Sequence, residues 1–217
     1  DTDIIGVQFA NGTTGLVAYN PDCTQNPYSN QVTGTSCLAL LYDTDGFKTP
    51  NTSGKDLRSI NVSKLGRTCA FELGGTCFGA PFTPTPITKA ECEQLKGDLG
   101  ITNCPVDSDY WAGAVKACGG TSKMPTLTHL ADIANYVYNT SLIRGEAGVV
   151  SGKGIVLDND KMAELGFTRP QDSSFNLWGN QEVTTTGAFS RSLRSNLTSC
   201  GNTYRGSSNV YAVCLGN

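Results

Sequence analysis

Trp111-Ala-Gly-Ala-Val-Lys-Ala-Cys118, followed after Gly119-Gly120 by Met124-Pro-Thr-Leu-Thr-His-Leu130, is the stretch on which the fold turns. Trp111, Val115 and Cys118 recur at helical spacing, giving one apolar stripe, and Gly119-Gly120 supplies the stop. Ser108 is placed to cap this helix. Pro125-Thr126 opens the next one, whose Leu127, Leu130, Ala134 and Val137 share a face. His129, near its start, is read as a capping or packing residue rather than a base. Upstream, Thr88 and Glu91 fit a capping box, with Leu95 and Leu99 as the apolar edge. Downstream, Asp160 to Leu165 reads as a short helix stopped by Gly166, and Asp158-Asn-Asp160 as its N-cap. After Pro170 helical signals vanish, and short β-like stretches alternate with polar loops.

The other end of the chain reads differently. Ile4 to Ala10 and Thr14 to Asn20 predict two strands around Asn11-Gly12, which provides the positive φ of a hairpin turn. Leu38 to Tyr42 and Leu57 to Val62 predict further strands, and the polar Asn20 to Ser36 a loop between Cys23 and Cys37. The Pro81-Phe-Thr-Pro-Thr-Pro86 stretch marks the expected boundary. This gives a β-rich part over residues 1–86 and an α+β domain over 87–217.

Only 16% of the residues are charged, against 38% hydrophobic, and 25 glycines join abundant Ser, Thr and Asn. That balance suits short strands and ordered loops better than a helical bundle. A net charge of −3 without a Lys/Arg cluster argues against nucleic acid. Nine cysteines and a single histidine, with no C-x-x-C, leave disulfides as the economical use of sulfur. Such a disulfide-stapled chain belongs in an oxidising compartment, and the odd count leaves at least one free thiol or one intermolecular bond. Cys69–Cys77, Cys92–Cys104 and Cys23–Cys37 are the natural local pairs, with Cys200 unassigned. No apolar run approaches the roughly 20 residues needed to cross a bilayer. The chain begins at Asp1 and reads as a mature or trimmed ectodomain, any membrane attachment lying in a segment outside it.

Two resemblances follow from particular residues. Tyr42-Asp-Thr-Asp-Gly-Phe-Lys-Thr-Pro-Asn-Thr-Ser-Gly-Lys-Asp56 resembles the double-turn segment that follows a central strand in type IV pilins and type II pseudopilins. Gly46 and Gly54 permit such turns, and Asp43, Asp45 and Asn51 serve them as local acceptors in preference to binding Ca²⁺. The second resemblance spans Asp109 to Leu215. The two opening motifs, together with Phe175-Asn-Leu-Trp178, Glu182, Ala188-Phe189-x-Arg191, Arg205 and Tyr211-Ala-Val-Cys214, resemble the C-type-lectin fold. The branch is that of formylglycine-generating-enzyme-like domains, which includes the bacterial and phage variable proteins diversified by retroelements. The resemblance implies paired termini and a Cys118–Cys214 bridge. It also implies that Phe175, Trp178, Ala188, Phe189, Tyr211 and Val213 pack as frame, with Glu182 holding Arg191 beneath the surface.

The same resemblance makes the segment from Asn180 to Asn209 a display surface, where Ser, Thr and Asn with Tyr and Arg anchors have the chemistry of binding loops. The candidate ligand contacts are Asn180, Gln181, Thr184, Thr186, Arg194, Asn196, Asn202, Tyr204, Ser207 and Asn209. The Glu-Pro-Asn, Gln-Pro-Asp and Trp-Asn-Asp motifs of calcium-dependent sugar binding are missing. No G-x-S-x-G or H-E-x-x-H is present, and Cys200 and Cys214 are too far apart for a formylglycine-generating pair. The expectation is a non-catalytic adhesin with no cofactor and no metal, on a bacterial cell surface or pilus, binding a protein or glycan. A phage tail tip shares that chemistry. The rivals are a structural minor pilin, whose C-terminal domain packs against pilus subunits, and a formylglycine-generating-enzyme-like oxidase.

Overall fold

A computed structural model describes the backbone of residues 3–8, 14–19 and 38–40, and residues 69–168 and 174–216 in full. Contacts group the chain into two compact units, Asp1–Arg67 and Thr68–Asn217. In the first, β1 (Asp3–Gln8), β2 (Thr14–Tyr19) and β3 (Leu38–Leu40) form an antiparallel sheet in that order. Ile5 lies opposite Val17, and Val17 opposite Leu40, so apolar positions align across all three strands. The Cys23–Cys37 pair, the double-turn segment with Asp43 and Asp45, and the strand expected over Leu57 to Val62 lie outside the described residues.

The second unit combines four α-helices with antiparallel sheets. β4 (Phe71–Leu73) and β5 (Thr76–Phe78) form a hairpin, followed by α1 (Lys89–Leu99), α2 (Tyr110–Cys118) and α3 (Leu127–Val137). After β6 (Gly148–Ser151) and α4 (Asn159–Glu164) come three long strands, β7 (Phe175–Thr184), β8 (Gly187–Leu193) and β9 (Leu197–Tyr204). The four strands from β6 onward form one sheet in the order β6-β9-β8-β7.

Local chemistry sets the helix ends. Thr88 caps α1 by accepting from the Glu91 N–H at 3.1 Å. In α3 the capping box is complete, because the Thr126 N–H donates to His129 Nδ1 at 3.0 Å while Thr126 Oγ1 accepts from the His129 N–H. Asp158 caps α4, accepting from the N–H groups of Asp160 and Lys161. The cap of α2 is Asp109 and not Ser108: its carboxylate accepts from the Ala112 N–H at 2.8 Å. A cap must sit where the chain turns from extended to helical, and the Ile87–Asp109 bridge fixes that point one residue later than expected. Gly113 lets α2 lie directly on the chain at Thr85, since a Cβ there would overlap the Thr85 carbonyl oxygen.

The core lies between α3 and the long sheet. Leu130, Ile133, Ala134 and Val137 of α3 meet Phe175, Leu177, Leu193 and Val213 there. An aromatic ladder crosses it, from Phe78 to Phe71 (5.0 Å between centroids), Phe167 (5.7 Å), Phe175 (4.7 Å) and Tyr211 (4.4 Å). The β4–β5 hairpin is therefore part of this core. The 81–86 stretch belongs to it too, because Phe82 exchanges backbone hydrogen bonds with Ala212, both at 2.9 Å. Compactness thus divides the chain at Arg67/Thr68, ahead of the proline-rich stretch, because β-bridges pair that stretch with the C-terminus.

Three disulfides staple the unit: Cys69–Cys77, Cys92–Cys104 and Cys118–Cys214. The last closes a sequence separation of 96 residues, which in the loop-entropy model stabilises the fold by about 4–5 kcal/mol. Cys200 is a buried free thiol. These bridges are compatible with an oxidising environment. Among the described residues no helix is long and apolar enough to cross a membrane.

Candidate functional site

The exposed face with the most concentrated binding chemistry sits where β7 turns into β8, beside the end of β9. Gly187 pairs with Tyr204 and Phe189 with Asn202, while Thr184 closes on Gly187. Gln181, Thr184, Thr186, Asn202 and Tyr204 are exposed there, with Tyr204 at 55% and the neighbouring Val183 at 41%. Thr184 Oγ1 lies 3.4 Å from Asn202 Oδ1. Two glycines shape this face: the Asn202 carboxamide occupies the space a side chain on Gly187 would need, and the Tyr204 ring does the same over Gly206.

The structure brings some of the expected contacts together and separates others. Ser207 is tied to the face, its N–H donating to the Tyr204 carbonyl at 3.0 Å. Asn180 is set back: half-buried, it donates its N–H to the Pro125 carbonyl at 2.9 Å, and its Oδ1 is buried without a hydrogen-bond partner. Arg194 and Asn196 are exposed in the β8–β9 turn, at the opposite end of β8. Six strand steps separate the two ends, roughly 20 Å. That far turn is anchored from below by Tyr138, whose hydroxyl lies 2.5 Å from the Arg194 carbonyl and 2.8 Å from that of Leu197. Asn209 faces a separate cleft.

Behind the exposed face lies a charged frame. Arg205, fully buried beside the exposed Tyr204, places Nη1 3.0 Å from Glu182 Oε1 and Nη2 2.7 Å from Asp109 Oδ2. The contact to Asp109 is a close ion pair without hydrogen-bond alignment. The guanidinium also stacks over the Trp111 ring at 4.5 Å, and the Trp111 indole donates to the Gly179 carbonyl at 2.8 Å. Glu182 additionally accepts from the N–H groups of Thr102 and Asn103, at 2.8 and 2.9 Å. Two carboxylates thus share one guanidinium, and Asp109, at the N-terminus of α2, also lies in that helix's favourable dipole field. Burial nevertheless pushes the Asp109 carboxyl above its ordinary value, against the lowering effects of the Ala112 N–H and Arg205.

Glu182 therefore does not hold Arg191. The register pairs Arg191 with Leu177, while irregularities flank Glu182 and turn the strand locally, so the two side chains are separated along β7. Arg191 is 1% exposed and uses neutral acceptors, Thr198 Oγ1 at 3.0 Å and the Arg144 carbonyl at 3.3 Å. Its strand neighbour is Cys200. Burial disfavours the charged form of the guanidinium and pushes the Cys200 thiol up, an effect the nearby guanidinium opposes.

Of the expected frame, Phe175, Trp178, Ala188 and Val213 are buried, while Phe189 and Tyr211 are partly exposed. His129 is engaged in the α3 cap, with its ring edge-on to Phe78 at 6.0 Å. Cys214 is bonded to Cys118 and so is not available to pair with Cys200. Among the described residues, no group of three or more His, Cys, Asp or Glu side chains is arranged to hold a metal ion.

Sequence reasoning missed Val183, because an apolar residue in a strand reads as core. It also missed the cleft near Asn209, lined by Thr83, Ser174, Asn176, Ser208, Val210 and Tyr211. Thr83 and Asn209 are remote in sequence, and no local signal joins them. Comparison with protein-family models, with curated proteins and with solved structures found no match to this chain.

Proposed function

We propose that this chain is a ligand-recognition protein of a bacterial surface or pilus, binding without turnover through the face formed by Gln181, Thr184, Thr186, Asn202 and Tyr204. The observation that carries this reading is the division of labour between adjacent residues. Tyr204 is 55% exposed while Arg205 is fully buried in an ion network. A rigid frame lets exposed side chains vary without unfolding the scaffold, which is the property a binding face needs. Hydroxyls and carboxamides supply adaptable hydrogen bonding, and Tyr204 with Val183 supplies apolar contact area.

The resemblance to retroelement-diversified variable proteins of the C-type-lectin fold, and of the N-terminal part to pilins, belongs to the same proposal. Three disulfides are consistent with such a location. The test is a library randomised at Thr184, Thr186, Asn202 and Tyr204, selected against a panel of unrelated purified proteins. Most members are expected to keep Tm within a few degrees of the parent, and some to bind. Systematic unfolding would sink the display reading. Variants at Tyr204 that block filament assembly yet leave ligand capture intact would favour a structural minor pilin instead. A second copy of the coding segment for residues 173–215, differing mainly at adenines and adjoining a reverse transcriptase, would establish diversification.

A further inference from the structure

Three remote segments converge on a cleft of about 290 Å³ that the binding face does not use. Thr83 comes from the proline-rich stretch, Ser174 and Asn176 from the start of β7, and Ser208, Asn209, Val210 and Tyr211 from the chain after β9. Of the proposed ligand contacts, only Asn209 lies here.

The walls are fixed by backbone pairing. Phe82 and Ala212 exchange two hydrogen bonds of 2.9 Å, which sets Thr83 beside Tyr211. The Tyr211 N–H donates to the Asn176 carbonyl at 2.8 Å, and the Trp178 N–H to the Tyr211 carbonyl at 3.0 Å. The Tyr211 ring stacks on Phe175 at 4.4 Å, and Phe175 stacks on Phe167 at 4.7 Å, so the aromatic wall is rigid. Asn176 is oriented in turn, its Nδ2 lying 3.2 Å from Ser174 Oγ. Such a site is largely formed before any ligand arrives, which lowers the ordering cost of binding.

Its chemistry is selective. The described side chains lining the cleft carry no formal charge, and none of them offers an ion partner to phosphate, carboxylate or a cation. Hydroxyls and carboxamides each offer both donor and acceptor groups, as the hydroxyls of a sugar do. A purely apolar ligand would leave those groups without partners, which disfavours it against a ligand that can hydrogen-bond. Tyr211 provides an amphipathic ring, with one face covered by Phe175, against which an apolar C–H surface can rest. We propose that this cleft binds one residue of a neutral saccharide, independently of the Tyr204 face and without a metal.

The 217-residue protein would first be applied to an array of neutral and anionic oligosaccharides, and then titrated with the methyl glycoside of the best neutral hit under NMR observation. The expected result is selective neutral binding, with shifts at the amides of Asn176, Asn209 and Val210. Asn176→Ala and Asn209→Ala should each weaken binding about tenfold, one hydrogen bond's worth. Tyr204→Ala should leave it unchanged. Asn209 is exposed, so its variant tests the site even if Asn176→Ala is unstable. The proposal fails if no neutral saccharide binds, if anionic ones bind as well, or if Asn209→Ala leaves the affinity unchanged.

Discussion

Two arginines are buried in the same sheet unit and are used in opposite ways. Arg205 meets two carboxylates and an indole, and through them joins the start of α2, strand β7 and the 102–103 loop. Arg191 meets a hydroxyl and a backbone carbonyl, and finds no carboxylate partner among the described residues. An ion network whose partners come from separate elements fixes their relative positions, and losing one member strands the other charges. A cation held by neutral acceptors joins only its immediate neighbours. The first arrangement stands directly behind the exposed face, which explains how Tyr204 and Asn202 are presented on a fixed backbone.

The most severe way to test this difference is Arg205→Met. It leaves Asp109 buried without its cation and Glu182 without one partner, and should cost about 3–5 kcal/mol. Denaturant unfolding of the two arginine variants side by side measures the gap. Arg191→Met removes a buried cation that has no ion partner and fills the space with apolar atoms. It should cost about 1 kcal/mol, and a loss equal to that of Arg205→Met would break the comparison.

Between these extremes, Glu182→Gln keeps an acceptor for the 102–103 loop but loses the charge opposite Arg205. The expected loss is about 1–3 kcal/mol, read from the same unfolding curves.

Asp109 sharpens the comparison through pH. Burial raises its folded-state value above the ordinary 3.8, so the folded state holds this proton more tightly than the unfolded one. The resulting stabilisation is complete below 3.8, falls as pH rises through the raised value, and stays flat above it. Subtracting the stability profile of Asp109→Asn from that of the parent should reveal this downward step, and a step in the upward direction would contradict the burial argument. The smallest effect belongs to the face itself: Tyr204→Ala should change stability by no more than about 0.5 kcal/mol, measured by thermal unfolding.

Much of the helical part could be read directly. The stripe of Trp111, Val115 and Cys118, the Thr126 cap and the role of Asp158 depend on residues within one or two turns of each other, where spacing fixes geometry. The local disulfides follow from proximity along the chain, and the Cys118–Cys214 bridge was expected only from a resemblance drawn over Asp109 to Leu215. The partner of Glu182 was not legible. Arg191 and Arg205 are both plausible on sequence alone, and the choice depends on strand register and on the irregularities beside Glu182. The split of the candidate contacts between two ends of the sheet was hidden for the same reason, since a hairpin sends residues near in sequence to opposite ends.

The sequence by itself determined the disulfide-stapled character, the helix positions and the caps of α1, α3 and α4, and the polar, weakly charged surface chemistry of the C-terminal segment. All of these rest on composition or on short-range spacing. Only the tertiary structure decided which arginine is ion-paired, which polar residues share the Tyr204 face, and that Thr83 and Asn209 line one cleft. Those outcomes depend on register and on β-bridges between distant segments, where a shift of one residue reverses which face a side chain occupies.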